Sequence, residues 1–332
     1  MKAWFARYKR SESGQVLAAT AVSMVLLVAM TAFVIDVGMA YKLHRRTQAA
    51  ADASALAAAQ MLPDTTSATQ VSNAKAAQNT QGLQNASVTP AYSQTYVSND
   101  TVTATAAAST PSVFAKLFGV DTFNAKASAT ALIGSYTGWS KDIAPWATDK
   151  QHINWGQSIT FKTDKAGQGN FGATTLDVQE IGCSPGTGGS DYQNLIGMSE
   201  HPCVVHEGDV LESKPGNMAG PTKQGLDDRG VIQNFDPYSI LAQQPNGSYV
   251  LTNYDHPNVV VIPVVDYIGN GRTSYTVVGF AWFIITSYTS KTVTGMFIDS
   301  SAPNGATCTG SPGGCPIGGY DPYSIRVVQL IK

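Results

Sequence analysis

Hydrophobic and polar positions divide this chain into four stretches: an uncharged apolar run near the N-terminus, an Ala-rich stretch, short alternating segments, and long β-branched and aromatic runs towards the C-terminus. The apolar run, Val16 to Ile35, holds 20 residues without a charge. At about 1.5 Å per residue it covers about 30 Å, the thickness of a bilayer core. Such a segment spans as a helix, because lipid offers no partner to exposed backbone groups. A cleaved secretory signal would have a shorter apolar region, although Gly38-Met39-Ala40 offers a small-x-small site. A buried soluble helix is rarely apolar on every face for so long. The pattern predicts a permanent single-pass anchor.

The helical signal continues past the span. Tyr41 to Leu62 is rich in Ala, Leu, Gln and Arg, with no Gly or Pro before Pro63. The small side chains of residues 49–59 point in every direction. Two readings stand side by side: plain helix propensity, or a small-residue surface that lets another helix approach closely. Asp36 lies at the edge of the span, where a carboxylate can reach interfacial water or cap a partner. Its depth makes it more informative than a loop Asp, since burying it in lipid is costly.

Beyond Pro63 the periods shorten. Thr69 to Gln81 predicts a polar helix, and Ser87–Thr89 and Thr101–Ala106 alternate like short strands. Pro111 to Phe118 predicts a helix opened by Pro and stopped at Gly119, followed by strand-like alternation from Asn124 to Ile133. Gly134-Ser135-Tyr136-Thr137-Gly138 is a candidate hinge. Further on, Trp155–Phe161, Val259–Tyr267, Ser274–Tyr288, Thr292–Ile298 and Ile325–Ile331 predict strands. Gly269-Asn270-Gly271 suits a tight hairpin between two of them. The string Asp-Pro-Tyr-Ser-Ile occurs at 236–240 and again at 321–325, best explained as a recurring turn into a strand. The expected fold class is α+β: a transmembrane helix with a long Ala-rich extension, a small α+β module, then a mostly β sandwich or partly open barrel. The expected boundaries are 1–62, 63–134 and 135–332.

Composition narrows the function. Charged residues make up 13% of the chain, against roughly 25% in ordinary soluble domains, which suits an extracytoplasmic β-rich protein. A net charge of -2 lacks the concentrated basic footprint of nucleic-acid binding. The basic residues before the span (Lys2, Arg7, Lys9, Arg10) outnumber Lys42, Arg45 and Arg46 after it, which orients the N-terminus to the cytoplasm and the bulk of the chain outside. Four cysteines permit three pairings, and loop-stapling Cys183–Cys203 and Cys308–Cys315 are the parsimonious set outside the cytoplasm. The run His201-Pro202-Cys203-Val204-Val205-His206-Glu207 has metal-ligand residue types but no structural-zinc spacing. Ser213 and Lys214 could form an activated nucleophile only if they met, and neighbours on a strand face opposite ways. Neither a Gly-x-Ser-x-Gly elbow nor a phosphate loop is present. The expectation is a non-enzyme with no metal and no cofactor.

Gly14-Gln15, the apolar run, Asp36-Val37-Gly38, Arg45-Arg46, and Gln48 through Asp52 to Leu56 form an ordered set over residues 10 to 60. In that set the chain resembles the N-terminal segment of bacterial Tad-type proteins, the TadE/TadG-like components of the tight-adherence (Flp) pilus assembly system. The resemblance implies a cell-envelope protein of the inner membrane acting through protein–protein contacts. Its partners would be the lipid bilayer and other assembly proteins or pilus subunits. It makes Gly14, Gln15, Asp36, Gly38, Arg45, Arg46, Gln48, Asp52 and Leu56 the candidate helix-contact residues. Processed prepilin-like members carry a Glu five residues after the Gly at the cut, whereas Ala19 stands there after Gly14. The chain therefore resembles the uncleaved, anchor-type members. A minor-pilin or adhesin-like subunit displaying a β-rich head is the alternative role, and an anchored hydrolase the third.

Overall fold

The computed structural model describes residues 13–162, 172–176, 186, 188–214, 218–243, 249–267, 274–302 and 315–331. The chain is α+β, opening on a long apolar helix and a shorter one and continuing mostly as strands. It divides into two compact units. Within the described residues, the first draws on Met1–Tyr92, Val102–Thr130 and Leu330–Lys332, and the second on Ser93–Thr101 and Ala131–Gln329.

In the first unit, α1 runs unbroken over Ser13–Ala59, 47 residues, so the apolar run and the Ala-rich stretch are one rod. The hydroxyls of Thr20 and Thr31 donate to the carbonyls of Val16 and Leu27, at 2.8 and 2.9 Å, so these polar groups are satisfied inside the helix. Among the described residues none of the apolar window is buried, which sets it apart from a core helix. Further along, one face closes: Leu43, Thr47, Ala50, Ala51, Ser54, Ala55 and Ala58 are buried. α2 (Thr65–Thr80) packs there and buries Ala68, Ser72, Ala76 and Thr80, a stripe at four-residue spacing. Small ridges at that spacing let helix axes approach closely. α2 begins ahead of the predicted Thr69 because Asp64 caps it, accepting from the backbone N–H of Thr66 and Ser67 at 3.0 and 3.2 Å.

β1 (Gln84–Ser93), β2 (Thr101–Pro111) and β3 (Thr122–Tyr136) are neighbours in that order; residues 122–130 of β3 belong to this unit. Along β2, Val102, Ala104, Ala106 and Ala108 point inward and the intervening Thr103, Thr105 and Ala107 are half-buried. The helix predicted for Pro111–Phe118 is instead the end of β2 and a short 3-10 turn, Ala115–Phe118. Gly119, at φ +84, stops it after four residues by taking a left-handed conformation.

The second unit contains the remainder of β3, then β4 (Gly138–Lys141), β5 (Trp146–Asp149), β6 (Ser158–Lys162), β7 (Gly172–Ala173), α3 (Gly189–Gly197), β8 (Glu200–His206), β9 (Val210–Glu212) and α4 (Ala219–Arg229). It continues with β10 (Leu241–Gln243), β11 (Tyr249–Leu251), β12 (Val259–Val265), β13 (Ser274–Tyr288), β14 (Thr292–Ile298), β15 (Ile317–Gly318) and all but the last residue of β16 (Arg326–Leu330). Its main sheet runs β6–β14–β13–β12–β5–β7, with β9 also on β13. β12, β13, β14 and β6 pair antiparallel and β5 joins β12 in parallel. The long β-branched runs become the sheet's centre because both faces are covered. Val259, Val261, Trp282 and Ile284 fill one core while Val260, Ile262, Phe283 and Ile285 fill the other. The predicted Gly269-Asn270-Gly271 hairpin lies outside the described residues.

The repeated Asp-Pro-Tyr-Ser-Ile string forms the same turn twice. Asp236 and Asp321 accept from the N–H of Tyr238 and Tyr323, at 3.0 and 2.9 Å. The N–H of Ser239 and Ser324 then donate back to the two Asp carbonyls, and each turn leads into a strand, β10 or β16. α3 and α4 are helices within the 135–332 stretch expected to be mostly β. They pack through Gly225, where a Cβ would sit 2.7 Å from the Gln193 carbonyl.

Candidate functional site

The residues with an assignable job cluster in the first unit, around the end of the apolar run. Asp36 is buried, 6% exposed, although its neighbours Ile35 and Val37 are exposed. Its carboxylate accepts from three consecutive backbone N–H groups: Val113 at 3.0 Å, Phe114 at 3.3 and 3.1 Å, and Ala115. A carboxylate matches the orphan donors that open the 3-10 turn. The β2–β3 connection is thereby tied to α1. The Ser112 hydroxyl donates to the Val120 carbonyl, and its N–H to the Asp121 carbonyl at 3.0 Å, closing the base of the loop.

Between this loop and α1 lies a groove of about 590 Å³. Its walls include Val25, Val28, Ala29, Ala32 and Phe33 on α1 and Phe114, Leu117 and Phe118 on the loop, and Asp36 lines it as well. The arrangement has no acid–base pair and is suited to holding apolar groups.

The other motif residues divide into two sets. Arg46 reaches across to α2, its Nη2 donating to the carbonyls of Asn79 and Gln81 at 3.3 and 2.6 Å, where it complements the C-terminal end of that helix. The Gln48 amide donates to the Asp52 carboxylate at 2.7 Å along α1, and Leu56 is half-buried. The Ala-rich face beside them packs within the chain. Arg45 and Gly38 remain outward, and a Cβ on Gly38 would meet nothing within 4 Å. Gly14 and Gln15 are in the first turn of α1.

In the second unit, Ser213 forms an isolated bridge with Thr174, while Lys214 is buried, its Nζ 5.9 Å from the centre of the Tyr192 ring. Burial pushes the Lys214 ammonium below its ordinary range, with the Asp191 charge working against that shift. Burial pushes Tyr192 up to about 12, while its bonds with Thr222 and Trp146 oppose this. Arg229 and Asp142 form a buried ion pair, with further Arg229 bonds to the carbonyls of Pro257, Met198 and Val259 at 2.9, 3.0 and 2.9 Å. Burial raises Asp142 while the Arg229 guanidinium opposes the rise. Among the described residues no group of three or more His, Cys, Asp or Glu is placed to hold a metal. Cys315 is buried, and among the described residues no cysteine is free. The pairings proposed for Cys183, Cys203, Cys308 and Cys315 turn on side chains outside the described residues.

The sequence singles out Asp36 but not the loop that it binds. The available signal was composition: Val113, Phe114, Leu117 and Phe118 are apolar residues in a connection between two strands, where polar turn formers are usual.

Residues 14–61 match a family model, Tad, described as putative Flp pilus-assembly TadE/G-like. The match covers the whole run from the first turn of α1 to its end, Asp36 included. No curated protein and no solved structure matches the chain.

Proposed function

We propose that this chain is a membrane-anchored component of a tight-adherence (Flp) pilus assembly system that acts through protein–protein contacts and carries no enzymatic activity. The observation that carries the reading is a coincidence on one helix. The Tad-type segment, the uncovered apolar run and the Asp36 clamp all lie on α1. An assembly factor needs a fixed address in the envelope and a rigid lever from it; the unbroken α1 supplies both. The N-terminus faces the cytoplasm across the inner membrane, and the β-rich second unit lies outside, where loop disulfides at Cys183–Cys203 and Cys308–Cys315 are compatible with the compartment. Contacts with other assembly proteins fall to the outward motif residues, Gly38 and Arg45, because the Ala-rich face is already covered by α2. A subunit role as minor pilin or adhesin requires the chain to leave the membrane for the filament.

The test is the N-terminal sequence and intact mass of protein from washed membranes, alongside sheared pili from the same cells. A full-length chain that stays in the membrane supports the assembly role. A start at Gln15 with recovery in filaments converts the reading to a processed subunit, and a start at Tyr41 removes the anchor.

A further inference from the structure

The proposed span ends at Asp36, yet exposed apolar surface continues beyond it on a different element. On the β2–β3 tip, Leu117 is 81% exposed and Phe118 87%, with Val113 and Val120 at 51% and 44%. Along α1, Val28 and Phe33 are 62% and 69% exposed, and they share a groove wall with that tip. The groove extends along α1 from Ala40, past Asp36, back to Val25, roughly 22 Å along the helix, and its far end is well inside the apolar run. The tip therefore folds back beside the part of α1 that is to sit in lipid.

We propose that residues 113–120 are a second membrane-inserted element, seated among the acyl chains of the bilayer that α1 spans, with acyl chains filling the groove between tip and helix. The inference rests on the anchor reading of α1. Its strongest support is backbone satisfaction, since a non-helical loop enters lipid only if its polar groups find partners. The N–H groups of Val113, Phe114 and Ala115 all go to the Asp36 carboxylate. Those of Leu117, Gly119 and Val120 go to the carbonyls of Phe114, Lys116 and Ala115 at 3.0, 3.1 and 3.1 Å. The Asp36 charge is in turn satisfied by those donors. Lys116 is the tip's one charged residue, exposed, on a stem long enough to reach headgroups while the rings stay in lipid. Continuity with the uncovered span favours lipid over a protein occupant: any bilayer around Val28 and Phe33 also surrounds Phe118.

Fluorine NMR on the full chain in lipid nanodiscs tests this. Trifluoromethyl-phenylalanine replaces, one at a time, Phe118, Phe33 in the span, and Gln78 on the exposed side of α2. Each is compared with nitroxide on the lipid acyl chains and with a water-soluble nitroxide. Loss of the fluorine signal at both Phe118 and Phe33 with the acyl-chain nitroxide, but not at Gln78, is the expected result. Loss at Phe33 from acyl chains but at Phe118 only from the water-soluble nitroxide overturns the inserted tip and leaves the anchor standing. Protection of Phe118 from both reagents overturns it in favour of a protein occupant. No acyl-chain effect at Phe33 means that the anchor reading itself is wrong, and the inserted tip with it.

Discussion

The two units bury their interiors by opposite means. The first is lined by small side chains: Ala50, Ala51, Ala55 and Ala58 on α1, Ala68 and Ala76 on α2, Ala104 and Ala106 on β2. The second is lined by large ones, with Trp146, Tyr192, Phe161, Phe280, Phe283 and Phe297 fully buried. Its rings pack on one another, Phe283 lying with its centroid 4.9 Å from both Phe161 and Phe297. Alanine contributes little transfer free energy per residue, so the first unit depends on backbones lying close, with polar ties such as the Arg46 cap and the Asp36 clamp. The second depends on volume and area removed from water. One interior should therefore resist added atoms and the other should resist their removal.

The largest effect expected is in the second unit. Phe283→Ala opens a cavity between two other buried rings and should cost about 3–5 kcal/mol. The four tryptophans with described positions, Trp139, Trp146, Trp155 and Trp282, all belong to this unit. Urea unfolding in detergent, followed by tryptophan fluorescence, reads it directly. A cost below about 1 kcal/mol, the level of a surface change, would mean that the ring cluster is not what holds this unit together.

The matching change in the first unit runs the other way. Ala51 is 0% exposed on the face of α1 that meets α2. Ala51→Leu inserts three heavy atoms where helices touch and should cost about 1–3 kcal/mol. Hydrogen exchange should show faster opening of α2 with the tryptophan signal unchanged. Unaltered exchange in α2 would show that the helix pair has room to spare.

A smaller effect is one of pH. The Lys214 pKa is lowered, burial of the ammonium being the main cause. Between that lowered value and the ordinary one, near 10.5, the unfolded chain holds more protons than the folded one. Stability of the second unit therefore rises with pH through that window and is level below it. Lys214→Met should flatten the rise in urea midpoint from neutral to alkaline pH. A slope identical to that of the parent would place the titration elsewhere.

These contrasts also explain which parts of the molecule were legible in the sequence. Large residues announce their state: the Ser274–Tyr288 and Thr292–Ile298 strands appear at the predicted bounds, because a run such as Val277 to Ile285 is stable only with both faces covered. Small residues do not. Ala49 to Ala59 fitted helix propensity and helix docking equally, and only the position of α2 shows that the buried face is used within the chain. Asp36 stood out through the cost of a carboxylate at that depth. Its donors lie 77 to 79 residues away, a separation that no local pattern encodes. Hence the tip at Ala115–Phe118 was predicted as part of a helix, when tertiary contact with Asp36 and the left-handed Gly119 set its shape.

The finest test of the small-residue interior is Ala51→Gly. Removing one methyl leaves the close approach of α1 and α2 intact, so the transfer loss is small and the main cost is conformational. Glycine at an interior helix position costs about 1 kcal/mol relative to alanine. The comparison with Phe283→Ala then isolates what each interior relies on: both truncate a fully buried side chain to a smaller one, but only one leaves a cavity. Hydrogen exchange of α1 and α2 should show a shift of about 1 kcal/mol in opening free energy. A shift of 3 kcal/mol or more, on the scale of a core cavity, would mean that the alanine methyl is itself a packing element. The first unit would then be held by side-chain fit in the same way as the second, and the division between the two interiors would collapse.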